Sequence, residues 1–427
     1  MTTQPDDMRT RTWMTALLWL TILLYFFTNF QRVCVPGPIF NELQSSLKAS
    51  ASQIAAIGSC FLYAYAFGQL LNGILLDKFG EHRVVMGGAI AFTIGSFLFP
   101  CANSLPLLYA ARIITSLGGG CFYLALVESI RKLYPSSYTS VLGIVIFLGY
   151  LGGTTGTSSL PLLVQNAGIP WRTTLLAAAI IIGILTILYA ICKSKVPKQP
   201  IRPGRLSLVP YKNVCKTKGN LLVMAAWCST YGLYFTIPAI FGQKFLEDVA
   251  QSKPKHAALC ISSLIIISAV TNVVTGFLGQ RFPNREKTFL MTTTALAFCG
   301  NLLILTGILL KLHQAHFMFC FAILAVTSGF SPVTNAYIQN INPSRQIGTA
   351  IGLSNFGSYF FVAIFGKLAG FLLDAFSDQA VITETATIYP PKAYLTIFGL
   401  FTLFNIVAFT FACLAPKTPL NKDKTTA

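Results

Sequence analysis

The sequence predicts an all-α polytopic membrane protein with twelve transmembrane helices. Of its 427 residues, 54% are hydrophobic and only 10% are charged, whereas soluble globular proteins carry about 25% charged residues. The mean hydropathy is +0.65. The apolar residues form evenly spaced runs of about 20, the length that crosses a bilayer as a helix. This composition excludes a water-soluble enzyme.

Each run defines one expected helix. The first run is too long, and too free of a small-residue cleavage site, to be a removable signal peptide, so we expect it to remain as a helix. The predicted spans are 13–36, 53–76, 84–103, 105–130, 139–164, 173–192, 220–241, 257–280, 288–310, 316–339, 347–373 and 393–414.

The basic residues predict the orientation of these helices. The chain has 31 Lys and Arg against 13 Asp and Glu, a net charge of +18. Twenty-one basic residues lie in segments on the side of the N-terminus, seven on the opposite side and three inside spans. Cytoplasmic loops are rich in Lys and Arg, so we expect both termini in the cytoplasm. Topology and anionic lipid headgroups then explain the excess charge, and no nucleic-acid partner is needed.

The sequence offers no motif for a metal, a cofactor or ATP. The eleven cysteines are never closer than thirteen positions, the nearest pair being Cys215 and Cys228, and CxxC does not occur. The four histidines lie in or beside loops without ligand-like neighbours, and there is no GxxxxGK loop. We therefore expect no cofactor, and metal enzymes and ATP-driven pumps lose support.

An internal repeat divides the chain into two six-helix halves. The run that contains Gly73 and Asp77 after the second span recurs after the eighth span as Gly276 and Gln280, at an offset of 203. The predicted organisation is an N-terminal six-helix bundle at 1–192, a basic cytoplasmic linker at 193–219, a C-terminal six-helix bundle at 220–415 and a cytoplasmic tail at 416–427.

The loop after span two, Gly-Ile-Leu-Leu-Asp-Lys-Phe-Gly-Glu-His-Arg at 73–83, is similar to the pattern Gly-x-Leu-x-Asp-Arg-x-Gly followed by basic residues, with Lys78 in place of the arginine. The residues that fit it are Gly73, Leu75, Asp77, Lys78, Gly80 and Arg83. Here the chain resembles the major facilitator superfamily, and the resemblance covers almost the whole sequence. It implies the major facilitator fold and a transporter function. Glu81 departs from the pattern, since a base or a small residue is more usual there.

Physical reasoning assigns this loop to gating. Gly73 and Gly80 permit close helix contact and a tight turn, and Asp77 can face the positive N-terminal end of a helix in the opposite half. Such a contact would hold the cytoplasmic side shut while the outer side is open. Gln280 has no charge, so the loops after spans two and eight are expected to form helix contacts of unequal strength. The alternative is that these charges only anchor loops among lipid headgroups. The other gating candidates are Arg83, Glu128 and Arg131.

Polar and aromatic side chains at helical spacing indicate faces turned away from lipid. On spans one, two, four and seven, the residues expected to bind substrate are Tyr25, Asn29, Arg32, Tyr65, Gln69, Arg112, Trp227, Tyr231 and Tyr234. Small polar residues on other spans are equally compatible with contacts between helices.

Buried charge predicts the sign of the cargo. Arg32, Arg112 and Lys367 are the only bases inside the predicted spans, and no carboxylate lies deep. A base inside a bilayer costs at least about 2.5 kcal/mol on insertion scales, so it needs a partner. We expect the substrate to supply the counter-charge. The alternative for Lys367, and for Arg32, which lies nearly as far along its span, is that the side chain reaches the outer boundary of the membrane.

A second resemblance concerns the first span. The segment Asn29-Phe-Gln-Arg32 is similar to that of anion-handling facilitators, including the anion:cation symporters, in which an arginine here binds the anionic group of the substrate. Other passages, such as Trp171-Arg-Thr-Thr, resemble the phagosomal transporters of intracellular bacteria, which import amino acids or nucleosides. These resemblances imply a bacterial inner membrane. The symporters have acids where this chain has Gln31 and Gly119, so proton coupling through these positions is not expected.

These observations predict a secondary active or facilitated transporter that works by alternating access, with its site near mid-membrane between the halves. The expected cargo is a small polar metabolite with one carboxylate, an amino acid or organic acid, and the expected state is a monomer in the bilayer. Two alternatives stay open: a facilitator-fold ligand sensor that signals to a partner, and a nucleoside or drug transporter. A drug exporter for cations would need a deep carboxylate.

Overall fold

The computed structural model confirms the all-α membrane fold. It describes residues 5–36, 39–47, 51–161, 163–164, 167–197, 201, 209–343, 346–382 and 387–417. Within these residues, twelve helical segments are long and apolar enough to cross a membrane. They are Thr10–Cys34, Ala56–Phe79, Glu81–Cys101, Leu105–Leu133, Pro135–Thr157, Trp171–Ser194, Lys218–Asp248, Leu259–Arg281, Glu286–Leu309, Gln314–Asn340, Ile347–Leu373 and Pro391–Leu414.

The chain divides into two compact units. Unit 1 comprises Met1–Tyr211 with Arg345–Leu353, and unit 2 comprises Lys212–Ser344 with Ser354–Ala427. The helices wholly in unit 1 are α1 (Pro5–Cys34), α2 (Phe40–Leu47), α3 (Ala51–Phe79), α4 (Glu81–Cys101), α5 (Leu105–Leu133), α6 (Tyr138–Pro161) and α7 (Trp171–Ser194). Helix α8 (Val209–Lys216) holds residues of both units.

The remaining helices belong mostly to unit 2. They are α9 (Lys218–Thr236), α10 (Gly242–Asp248), α11 (Pro254–Arg281), α12 (Glu286–Leu309), α13 (Gln314–Ser328), α14 (Ser331–Asn340), α15 (Ile347–Asp374) and α16 (Pro391–Leu414). The first residues of α15, up to Leu353, belong to unit 1. Before α16, the two-residue strands β1 (Val381–Ile382) and β2 (Thr387–Ile388) pair antiparallel.

The core of unit 1 surrounds the C-terminal end of α1. Phe30 and Cys34 are buried there together with Phe99 and with Leu43 of the short helix α2. Sequence reasoning missed α2, because eight residues are too few to span a bilayer and too few to show a clear period. Its buried leucine nevertheless closes the core beneath the last turn of α1.

Helices α4 and α5 approach each other with their backbones in contact. A Cβ atom added to Gly118 would lie 2.6 Å from the carbonyl oxygen of Gly88 and 2.9 Å from the Cα atom of Phe92. Only glycine fits such a crossing, which is the common way for helices to pack closely inside a membrane. The contact fixes the position of α5, which carries Arg112.

Unit 2 has a phenylalanine-rich core. Phe245 of α10 lies at the centre, with ring centroids 5.1 Å from Phe317 and 5.3 Å from both Tyr394 and Phe398, all nearly edge to face. Edge-to-face pairs add to the stabilisation from burial alone. This core explains why the seventh span continues beyond its predicted end at residue 241.

Two prolines alter the predicted helices of unit 2. The seventh span passes through a π-helical turn, Ile237–Phe241, which contains Pro238, and reaches Asp248. The tenth span, predicted as one helix at 316–339, is interrupted between α13 and α14, where Pro332 follows the break. Proline has no N–H to donate and crowds the preceding turn, so each helix changes its hydrogen bonding there.

The surface of the spans is apolar. On α7, the exposed fractions of Ile184 and Ile187 are 52% and 63%, as expected of side chains that face lipid tails. Parts of the predicted linker and tail, residues 198–200, 202–208 and 418–427, lie outside the described residues. Within the linker, α8 places Tyr211 against the body of unit 1.

Candidate functional site

The last two turns of α1 bring three predicted site residues onto one face. Arg32 is half-buried, and its Nη2 atom donates a hydrogen bond of 2.7 Å to Oδ1 of Asn29. The Asn29 amide in turn donates to the carbonyl oxygen of Tyr25 at 3.0 Å. Residues spaced by three and four are neighbours on a helix, so each of these side chains supports the next. The result is a guanidinium held in place by its own helix.

Gly149 of α6 leaves room for the face of α1 that carries Tyr25 and Asn29. A Cβ atom on Gly149 would lie 3.0 Å from the amide nitrogen of Asn29 and would collide with the ring of Tyr25. Tyr25 also lies beside Tyr123 of α5, with ring centroids 5.7 Å apart. The face of α1 that carries Arg32 therefore holds an amide and a phenol, with a second phenol beside it on α5, a mixture of apolar rings and polar atoms suited to a small organic ion.

The two candidates on α3 face α5. Gln69 is fully buried and donates to the carbonyl oxygen of Gly120 at 3.0 Å. Tyr65 is 4% exposed and stacks on Phe61, with centroids 6.2 Å apart and planes 11° apart. Gln69 thus connects α3 to α5, whereas the stacking of Tyr65 is with a residue of its own helix.

Arg112 is the most deeply buried charge of the candidate set, at 1% exposure. Its Nη1 and Nη2 atoms donate to the carbonyl oxygens of Gln31 and Val35 at 2.8 and 3.1 Å. The guanidinium carbon lies 4.5 Å from the centroid of the Phe61 ring. The sequence assigns Arg112 to the cargo, whereas the structure places both terminal nitrogens on the backbone of α1.

Two of the three candidates of unit 2, Trp227 and Tyr231, form part of an aromatic ladder on α9. Tyr231 lies 5.6 Å from Trp227 and stacks on Phe235 at 5.4 Å, measured between ring centroids. Tyr234 points elsewhere, and its hydroxyl lies 2.7 Å from Oγ of Ser268. Trp227 and Tyr234 are buried, while Tyr231 is half-buried.

Asp77 binds the N-terminal end of α15. Its carboxylate accepts hydrogen bonds from the backbone N–H of Gly348 at 3.2 Å and of Thr349 at 2.9 Å, and from the Thr349 hydroxyl. Free N–H groups and the helix dipole make such an end attractive to a carboxylate. Gly73 permits the approach, since a Cβ atom there would lie 3.0 Å from the carbonyl oxygen of Gly348.

The rest of the motif shapes the turn between α3 and α4. Gly80 has a φ of 78°, a left-handed conformation that suits glycine. Arg83 donates to the carbonyl oxygen of Phe79 at 3.3 Å and so satisfies the end of α3. Glu128 forms an ion pair of 2.9 Å with Lys132 one turn later, and Arg131 is half-buried beside it on α5.

Sequence reasoning missed the centre of this ionic cluster. The ammonium group of Lys132 lies 2.6 Å from Glu81, whose side chain is almost fully buried at the start of α4. Glu81 also lies 4.0 Å from His82. A signal was present, because Glu81 is the acid that departs from the basic pattern of the loop, and Glu128 and Lys132 are spaced by four.

A second missed residue is Tyr211 of α8. Its hydroxyl donates to the carbonyl oxygen of Leu70 on α3, next to Gly73. Burial, and then the charge of Asp77, raise the pKa of Tyr211, so the phenol keeps the proton that it donates. The linker has no periodic pattern from which this contact could be predicted.

The fold and these polar faces define the class of protein: a multi-pass membrane protein whose spans enclose charged and aromatic side chains. A family model described as "Major Facilitator Superfamily" matches residues 17–252 and, in a second match, residues 221–427. The chain belongs to the major facilitator superfamily. It is a transporter of this type and not an enzyme.

Individual relatives are distant. The chain is 24% identical over 406 residues to "Probable anion transporter 4, chloroplastic" of Oryza sativa subsp. japonica, and this match covers 87% of the chain and 66% of the rice protein. It is 23% identical over 361 residues to "Probable sulfoacetate transporter SauU" of Cupriavidus necator, covering 80% and 83%. This chain thus spans just under two thirds of the length of the rice protein.

A solved structure shows the same fold. The major facilitator transporter FucP, crystallised in the outward conformation, matches with a TM-score of 0.71 at 15% sequence identity. The match covers 94% of this chain and 98% of FucP. At this identity the likeness shows the fold alone.

Proposed function

We propose that this transporter moves a small metabolite with one carboxylate, an amino acid or an organic acid, by alternating access. The observation that carries the proposal is Arg32, half-buried on α1 and held by Asn29. A guanidinium presents a planar fork of N–H donors that matches the two oxygens of a carboxylate. Arg32 is thus the residue that binds the negative group.

The ring of Tyr25, about two turns before Arg32 on α1, lies beside the ring of Tyr123 on α5, and the two rings supply the surface for the rest of the cargo. Tyrosines offer apolar area and a polar hydroxyl at small entropic cost, which suits a metabolite that is partly apolar. On α9, Trp227 and Tyr231 carry the same chemistry in unit 2.

The relatives support an anionic cargo. The rice protein is named as an anion transporter and the Cupriavidus protein as a sulfoacetate transporter. Both align over four fifths or more of this chain. Their identities of 24% and 23% are low, so they support the charge of the substrate and leave its identity to experiment.

Gating is assigned to the loop that joins α3 and α4. Asp77 holds α3 against the first turn of α15, and the release of these hydrogen bonds opens the cytoplasmic side. Gly80 and Arg83 shape the loop, and Glu128 with Arg131 adds charge at the inner end of α5.

Both termini face the cytoplasm of a bacterial inner membrane in this proposal. Single cysteines at Ser50, Pro254 and Gln379, in a background without other cysteines, should react with an impermeant maleimide in intact cells, whereas one at Gln199 should not. Ser50 and Gln199 lie outside the described residues. Reaction at position 199 alone would reverse the orientation.

Counterflow in proteoliposomes tests the function. The purified protein is offered a panel of radiolabelled amino acids, monocarboxylates, dicarboxylates and nucleosides, with protein-free vesicles as the control. We expect exchange of at least one compound with a single carboxylate that is not in the nucleoside group. Exchange confined to uncharged nucleosides would contradict the anion proposal, and binding without exchange would favour a sensor.

A further inference from the structure

The guanidinium of Arg112 sits on the end of α1 that carries Arg32. Helix α1 ends at Cys34, and the two carbonyl oxygens that accept from Arg112 belong to Gln31 and Val35, one before and three after Arg32. Arg112 therefore binds the backbone on both sides of the residue assigned to the cargo. The contact joins α5 to the last turn of α1.

Helix ends explain why a cation lies there. The last four carbonyl groups of a helix have no N–H partner within the helix, and inside a membrane no bulk water is present to satisfy them. The negative end of the helix dipole also favours a positive charge. Arg112 meets both requirements, because it donates to Gln31 and Val35 with two different nitrogens.

The surroundings of Arg112 leave little of it for a ligand. Its side chain is 1% exposed, and its guanidinium lies 4.5 Å from the ring centroid of Phe61 and 5.8 Å from that of Phe99. Among the described residues, no carboxylate lies within ion-pair distance of it. Arg32, by contrast, is half-buried.

A second arginine of unit 1 shows the same arrangement at another helix end. Arg172 of α7 donates to the carbonyl oxygens of Pro100 and Ala102, both at 2.7 Å, where α4 ends. Capping of one span by an arginine from a neighbouring span therefore occurs twice in this unit. Arg172 provides a matched control, because it caps α4 and touches no carbonyl of α1 in these hydrogen bonds.

We propose that Arg112 is a positioning residue: it caps α1, sets the direction of the Arg32 side chain, and does not itself bind the cargo. The statement that Arg112 directs Arg32 and does not bind the cargo rests on the proposed function, in which Arg32 binds the anion. The capping of α1 by Arg112 does not depend on the proposed function. A role in positioning also explains why a charge is retained at a site so fully enclosed.

Hydrogen exchange of the full-length protein, followed by mass spectrometry, tests the cap. In Arg112→Gln, we expect amide exchange of residues 31–35 to accelerate about tenfold or more, because the last turn of α1 loses its donors. Arg112→Lys, which keeps a charge and a donor, should restore part of the protection. Arg172→Gln should accelerate exchange near residue 102 and leave 31–35 unchanged. Unchanged exchange at 31–35 in Arg112→Gln and Arg112→Lys would overturn the cap.

Modification by phenylglyoxal, which reacts with arginine side chains, tests the positioning. In the wild-type protein, Arg32 should be modified several times faster than Arg112, and equal modification of the two, or of neither, would overturn the proposal. The rate at Arg32 should change severalfold in Arg112→Lys and stay the same in Arg172→Lys. An unchanged rate at Arg32 would reduce Arg112 to a structural contact.

These results are independent of the transport assay. If Arg32→Gln leaves the transport of carboxylates unchanged in counterflow, the proposed function fails while the cap is still decided by hydrogen exchange. If exchange at residues 31–35 does not respond to Arg112→Gln, the positioning role fails and the anion proposal for Arg32 stands.

Discussion

The two units differ most in the charges of their spans. In unit 1, Arg32 and Arg112 lie within the spans and Asp77 binds the end of α15. In unit 2, the repeat places neutral Gln280 where unit 1 has Asp77, and Tyr234 bonds to a serine hydroxyl. Lys367, the base inside a span of unit 2, is exposed. In the proposed function, unit 1 supplies charge recognition and the gate, whereas unit 2 supplies aromatic and hydroxyl surface.

The starts of α4 and α12 are a second pair of matching positions. Glu81 begins α4 and forms an ion pair with Lys132 at the end of α5. Glu286 begins α12 in the same way and accepts a hydrogen bond of 2.9 Å from the amide of Asn340 at the end of α14. Each acid thus joins the start of one helix to the end of another in its own unit, in unit 1 through an ion pair.

Loss of Arg32 should have the largest effect. Removing one charge-assisted contact costs about 1.5–3 kcal/mol, or about tenfold to a hundredfold in affinity. Arg32→Gln should weaken binding of a transported carboxylate by this amount, and Arg32→Lys by less. Tyr234→Phe, a matched change in unit 2, should alter affinity about threefold or less. Competition counterflow measures all three, and equal losses in Arg32→Gln and Tyr234→Phe would remove the contrast.

Asp77→Asn should have the next largest effect. The amide keeps the shape but loses the charge at the end of α15, a change of about 1 kcal/mol or several-fold in a conformational equilibrium. Labelling of a cysteine on the cytoplasmic side of α15 should become faster, with transport rate changing more than affinity. Gln280→Asn serves as the control and should do far less. Labelling that does not respond to Asp77→Asn would count against the gate.

Loss of the ion pair at Glu81 should have a smaller effect, on stability. Glu81→Gln leaves Lys132 with Glu128 alone, so we expect a loss of about 1 kcal/mol, or about 2–4 °C in Tm. Thermal unfolding in detergent, followed by tryptophan fluorescence, measures the change. An unchanged Tm in Glu81→Gln would contradict the stabilising role of the ionic cluster.

Dependence on a proton gradient should be the smallest effect. Gln31 and Gly119 stand where the anion:cation symporters, which the sequence of span one resembles, carry acids. The Glu128 carboxylate forms an ion pair with Lys132. Uptake should therefore respond little to a protonophore, with exchange or facilitated uptake as the mode. If uptake collapses with protonophore, and Glu128→Gln abolishes accumulation but preserves counterflow, Glu128 is the proton site instead.

The fold was predictable because a bilayer demands long apolar runs. The eleventh span was predicted at 347–373 and is found at Ile347–Leu373. The short helix α2 and the extension of the seventh span to Asp248 were not predictable, since neither has the length or the period of a separate span. They are determined by packing between residues far apart in the sequence.

The candidate site was predictable only in part. Spacing places Tyr25, Asn29 and Arg32 on one face, because a helix has a fixed period. The same reasoning identifies Arg112 as a buried charge but not its partners, which are backbone carbonyls of another helix. Backbone groups look alike in every sequence, so a contact of this kind requires coordinates.

The central claim is that Arg32 binds the negative group of the cargo. The direct measurement is counterflow competition by a transported carboxylate and by its uncharged amide analogue, in wild-type protein and in Arg32→Gln. We predict that the carboxylate loses about tenfold to a hundredfold in affinity while the amide loses little. Equal losses for the two compounds would contradict the account and make Arg32 a structural residue of α1.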